Sequence, residues 1–255
     1  MEIYVAKSYL QIYEIVNTIK QKFFTNTEMW FRGQGSNAYF LKPSLFRIHK
    51  GINYEKELFF EYKKLISRIE NSNKDDWETL INMQHYGIPT RLLDWTENLG
   101  VALYFAATSC IYNTPMCLYI MNPIVLNNLS GKKGIPIVPS NTMGLSYIKN
   151  YVDKEPFPAR YPIAIKCEYV NKRVSAQSGM FTIHGDEERE KDIDIIETIL
   201  DQESAIYKVN IAPEAYNSLK EYFDICGLNE YTIFPDVQGI AQYLRNKLTY
   251  YSSRS

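Results

Sequence analysis

Histidine and cysteine are scarce in this chain. Only three histidines occur, His49, His85 and His184, and no two of them stand at the spacing of a helical metal-binding pair. The four cysteines, Cys110, Cys117, Cys167 and Cys226, form no C-x-x-C pair and no zinc-like pattern. A structural metal site is therefore not expected. No run of apolar residues approaches the ~18 needed to cross a bilayer, so no membrane span is expected. The first residues, MEIYVAKSYLQIYEIV, lack a basic region followed by a purely apolar run, so they do not read as a signal peptide. A reduced, cytoplasmic protein is the natural expectation. With a formal net charge of −1, the chain has no global field to draw in nucleic acid or anionic membrane. Lys22, Lys42, Arg47 and Lys50 are dispersed along the sequence, which further disfavours a nucleic-acid partner.

Linkers, repeats and low-complexity blocks are also missing, so the 255 residues are read as a single domain, 1–255. The one compositional excess is aromatic, with 21 tyrosines and 12 phenylalanines. Such residues fill cores, and they also line pockets with flat area that carries a polar tip.

The expected elements follow from periodicity. Ser8-x-x-Gln11 reads as a capping box opening a helix with Leu10, Tyr13, Val16, Ile19 and Phe23 at helical spacing. "EMWFRG" reads as a short strand running into a glycine turn. Leu58, Tyr62, Leu65 and Ile69 mark a helix over 54–70, and Trp77, Leu80, Ile81 and His85 mark another that Gly87 and Pro89 end. "LGVALYFAATSCIY" is apolar all round, as a helix buried on every side would be. "MCLYIMN", "YPIAIKCEYVN", "GMFTIHG" and "AIYKVNI" read as strands. "PEAYNSLKEYFDICG" and "PDVQGIAQYLRNKL" read as helices, and Asp186–Asp192 as a solvated loop. Helices thus lead and strands follow, which predicts an α+β fold with N-terminal helices packed on a mostly antiparallel sheet.

Two stretches carry chemistry. In "WFRGQG", Arg32 follows Trp30 and Phe31 where a strand should bury apolar surface, and a buried guanidinium needs an anion or a full set of acceptors. In "MQHYGIPTRLLDWTENLG", His85, Tyr86, Thr90, Arg91, Asp94, Trp95 and Thr96 crowd a segment read as the loop entering the buried helix. Convergent polar groups among apolar walls mark a ligand pocket. The bland alternatives stay open at this point. Asp94-x-x-Glu97 resembles a capping box, so Asp94 and Thr96 could simply cap the helix, and Arg91 could pair with Asp94.

"WFRGQ" followed by "QHYGIPTRLLDWTENLGVALYFA" resembles the FRG domain family, named for that Phe-Arg-Gly. Arg173-x-x-x-Gln177-x-Gly179-x-Phe181 and "IFPDVQGIAQYL" resemble its later segments, so the likeness runs over roughly residues 25 to 245. The order of an early strand arginine, a hydroxyl-bearing segment and a late strand is in turn similar to the ADP-ribosyltransferase fold. That resemblance implies NAD as substrate. Arg32, Gln34, Tyr86, Thr90, Arg91, Trp95 and Thr96 would then bind it, and Asp94, Gln177 and His85 would serve catalysis. It implies a toxin or phage-defence effector working as a transferase or NAD glycohydrolase. Gln177 stands about where that fold has a glutamate and carries no charge, so Asp94 would have to supply it. The competing expectation is a non-catalytic module binding a nucleotide, a nucleic acid or a partner protein.

Overall fold

The computed structural model describes residues 1–23, 28–69, 74–111, 113–155, 161–168, 172–186 and 195–252. Its centre is one eight-stranded sheet in the order β1-β8-β4-β2-β3-β7-β6-β5. The strands are β1 (Glu2–Ala6), β2 (Trp30–Gln34), β3 (Leu92–Thr96), β4 (Met116–Met121), β5 (Ile137–Val138), β6 (Ile163–Cys167), β7 (Gly179–Ile183) and β8 (Ile206–Ile211). The five interior pairings are antiparallel, and the edge pairings β1–β8 and β5–β6 are parallel. The fold is mixed α and β with a mostly antiparallel sheet. Helices do not come first and strands second, however, because β1, β2 and β3 belong to the first half.

Alternation along β4 shows how the sheet is covered. Met116, Leu118 and Ile120 face one apolar cluster, and Cys117, Tyr119 and Met121 face another. A strand covered on both sides has no polar face to betray it, which is why it reads as a continuous apolar run. On the first side lie α1 (Tyr9–Lys22), through Ile12, Val16 and Ile19, and α5 (Leu99–Thr108). Leu10 and Tyr13, expected in the core, are exposed instead. Ser8 caps α1 by accepting from the Gln11 amide, while Gln11 reaches back to the Lys7 amide rather than to Ser8.

Beyond β3, helices α3 (Glu55–Ile66) and α4 (Asp76–His85) bury Phe59, Trp77, Leu80 and Ile81 against β6 and β7. Asp75 and Glu78 form a reciprocal capping box at the start of α4. Leu65 and Ile69, placed in that core by spacing, lie exposed. Of the segment 186–192, only Asp186 is among the described residues.

The glycines of Gly-Gln-Gly are explained by α5. A Cβ on Gly33 would stand 1.8 Å from the Ala102 carbonyl oxygen, and one on Gly35 would stand 2.0 Å from that of Ser109. Both positions let the helix lie directly on β2. Gln34 between them projects to the other face, where its amide donates to the Phe40 carbonyl at 3.3 Å.

Candidate functional site

The site lies where β2 and β3 part. They pair antiparallel through a single pair, Phe31 with Thr96. Continuing it would pair Gly33 with Asp94, but no such pair forms. Arg32 bridges the gap instead. Its Nη1 donates to the Asp94 carbonyl at 2.6 Å and stands 3.6 Å from Asp94 Oδ2. Its Nε is sealed from solvent with no hydrogen-bond partner among the described residues. Burial depresses the Arg32 pKa, and the nearby Arg47 charge depresses it further, against the opposing pull of Asp94.

Next to this seam opens a cavity of about 410 Å³. Phe31, Arg32 and Gln34 form one wall, and Val101, Ala102 and Phe105 of α5 form another. His85, Asp94, Trp95 and Thr96 lie across from them, and Arg173, Gln177, Phe181 and Phe234 close the far side. Arg47, at the end of α2 (Ser44–Arg47), sits on the rim and makes no hydrogen bond or ion pair with any described residue.

Asp94 belongs to strand β3 rather than to a loop, and it does not cap α5. The N-cap of α5 is Asn98, whose side chain accepts from the Val101 amide at 3.3 Å. The carboxylate of Asp94 is 55 % exposed toward the cavity. Gln84 of α4 donates to its Oδ2 at 2.9 Å and accepts from Thr90 Oγ1 at 2.6 Å. Thr90 thus stands one layer behind the cavity and orients the residue that orients Asp94. Gln84 escaped the sequence reading, although it sits beside His85 in "MQHYG".

Three residues expected to bind ligand do not line the cavity. Thr90 is one. Tyr86 is exposed and meets only the edge of the His85 ring at 4.7 Å. Arg91 is 1 % exposed and pairs with Glu55, not with Asp94. Its Nε donates to Glu55 Oε1 at 2.6 Å, its Nη2 also bonds Glu55, and its Nη1 donates to the His184 carbonyl at 2.7 Å. Tyr147 donates to the same carboxylate at 3.2 Å, and Asp186 lies 3.3 Å from the guanidinium. Burial alone would lower the Arg91 pKa, but Glu55 and Asp186 outweigh it and raise the value.

The remaining expected residues do meet at the cavity. Thr96 Oγ1 donates to the Gln177 carbonyl at 2.6 Å and accepts from the Asn98 amide at 2.9 Å, which ties β3 to the turn after α7 (Lys172–Ala176). Gln177 donates its amide to the Ile233 carbonyl at 3.1 Å. Arg173 donates from Nε to Asp236 at 2.5 Å and lies over the Phe234 ring at 5.0 Å. The Arg173 bond holds the Asp236 carboxyl below its ordinary range, with help from the Gly239 amide against the effect of burial. The two late motifs are therefore stapled together as one cavity wall. His85 has its pKa lowered by burial and by Arg173, which Asp236 partly offsets. Cys117 lies behind the site, its thiol pushed up to about 12 by burial.

The result is a cavity walled by aromatic rings, with two arginines at one side and one accessible carboxylate. Residues 27–112, a stretch that holds β2, β3 and the helices between and after them, match the FRG domain. No curated protein and no solved structure matches the chain. Among the described residues no group of histidine, cysteine, aspartate and glutamate could hold a metal ion, and no helix is long and apolar enough to cross a membrane.

Proposed function

We propose that this cavity binds a pyrophosphate-bearing nucleotide, NAD, and that the protein works on it in the manner of an ADP-ribosyltransferase or NAD glycohydrolase. The observation that carries the reading is Arg32, a half-buried guanidinium that lines a cavity of about 410 Å³ with an unsatisfied Nε behind it, beside Arg47, which has no partner among the described residues. A buried cation with an unused donor is costly until an anion takes it, and phosphate oxygens match the guanidinium fork. Phe105, Phe181 and Phe234 offer flat apolar surface for a base or nicotinamide ring.

In this reading Arg32 and Arg47 hold the phosphates, and Gln34, Trp95 and Thr96 complete the binding surface. Asp94 faces the ribose. As the bond between nicotinamide and C1′ of the ribose breaks, its electron pair leaves with neutral nicotinamide, and positive charge develops on the sugar. The Asp94 carboxylate stabilises that charge. Water or an acceptor hydroxyl then bonds to C1′ and gives up its proton, for which His85, its pKa lowered, is a base in the cavity wall. Gln177 is committed to the Ile233 carbonyl and serves the wall rather than the charge.

One observation favours a second reading, a module that binds a nucleotide without cleaving it. Asp94 is already engaged by Arg32 and Gln84, which spreads the charge that catalysis would need.

Melting temperature with and without NAD, together with chromatography of free nicotinamide, separates the two. Wild type should show an NAD-dependent rise and nicotinamide release. Asp94→Asn should keep the rise and lose the release, whereas Arg32→Ala should weaken binding by about 1.5–3 kcal/mol, the scale of one charged hydrogen bond. A shift without release in wild type supports the binding module. Neither shift nor release ends the NAD reading.

A further inference from the structure

Arg47 lines a second depression as well as the first. This one has a volume of about 610 Å³ and is walled by Lys42, Phe46, Arg47, His49 and Lys50, with no acidic residue in its lining. The cations that look dispersed in the sequence are gathered here, apart from Lys22. No aspartate or glutamate stands between Glu28 and Glu55, and Glu55 is spent inside on Arg91. A chain with a net charge of −1 thus carries a depression lined by cations and no acid. Arg47 and Lys50 are exposed and make no hydrogen bond or ion pair with described residues.

Aromatic rings accompany the charge. Tyr39 and Phe40 stand in the same acid-free stretch and are 50 % and 68 % exposed, a large apolar area to leave in water without a partner. Tyr39 lines the nucleotide cavity, and Arg47 joins that cavity to the basic depression. Cations that track phosphates, interleaved with exposed rings on which bases stack, make up the recognition chemistry of single strands. A duplex offers no unstacked base to such rings, and an acidic peptide has none.

We infer that this face binds single-stranded nucleic acid, with the strand lying along Lys50 and Arg47 and its bases over Phe40 and Tyr39. The surface works whatever the cavity beside it holds. A strand seated there would pass the mouth of the cavity.

Fluorescence anisotropy of the full chain with labelled oligo-dT and oligo-rU at several salt concentrations tests this, with a duplex of equal length and a polyglutamate peptide as controls. Binding should favour the single strands and weaken steeply with salt. Lys50→Asn keeps a residue suited to the positive φ of 57° found there and should reduce the log–log salt slope by about 0.7, the share of one phosphate contact. Phe40→Ala should weaken binding about tenfold with little change of slope, as lost stacking does. Neither residue lines the nucleotide cavity, so an NAD-induced rise in melting temperature should survive both changes and would report a failure of the cavity reading separately. Absence of single-strand binding at low salt would overturn the inference. So would equal affinity for the duplex, equal affinity for polyglutamate, or indifference of binding to both substitutions.

Discussion

Arg91 is buried and Arg32 is half-buried at the cavity, and their surroundings differ. Arg91 meets a bidentate carboxylate, a carbonyl and a second acid, so every donor has somewhere to go. Arg32 meets one carbonyl and a loosely held carboxylate, with its Nε left over. The first arrangement is architectural, and the second leaves a donor over, which is the basis of the ligand-binding role proposed for it. Arg91→Met should therefore cost about 3–5 kcal/mol in denaturant unfolding, because it strands Glu55 as a buried charge. Restoring neutrality with Arg91→Met and Glu55→Leu together should recover a large part of that loss. Arg32 stood out in the sequence as an anomaly and Arg91 as one of a crowd of polar residues, yet their roles were not readable there. Glu55 and Asp186 are far away along the chain, and only the fold brings them to Arg91.

At the scale of elements, the segment 92–96 decides what Asp94 can do. "LLDWT" is a strand whose two faces are both covered apart from Asp94, so it lacks the alternation that marks a half-exposed strand. Its one charged residue suggested a helix cap. The cap is Asn98, four residues later, and the Asp94 carboxylate instead lines the cavity, where Gln84 and Arg32 hold it. Asn98→Ala should cost about 0.5–2 kcal/mol of stability, as the loss of a helix N-cap does. Asp94→Asn should leave the thermal unfolding midpoint nearly unchanged. The opposite order would return Asp94 to a capping role and remove the reason to assign it chemistry. The fully apolar α5 and the strands after residue 115 were legible because their composition is extreme. β1 was not, since its residues 3 and 5 stay exposed at the sheet edge and the pattern runs straight into α1.

For the whole molecule, sheet order matters more than chain order. The matched residues 27–112 contain β2 and β3, but their partners β4 and β7 lie outside that stretch. The Arg173 and Gln177 contacts that close the cavity come from later still. An excised 27–112 segment should therefore fail to give a cooperative unfolding transition, whereas the full chain should give one by circular dichroism. The same interleaving governs how the chain acquires its shape in time. β1 is the first strand made, and its partner β8 is the last. With synthesis proceeding at about 5–20 residues per second, β1 spends about ten seconds or more on the ribosome before its partner exists. Loop-closure entropy must be met before so distant a pairing yields any stabilisation, so the edge of the sheet should be the last part of the protein to form.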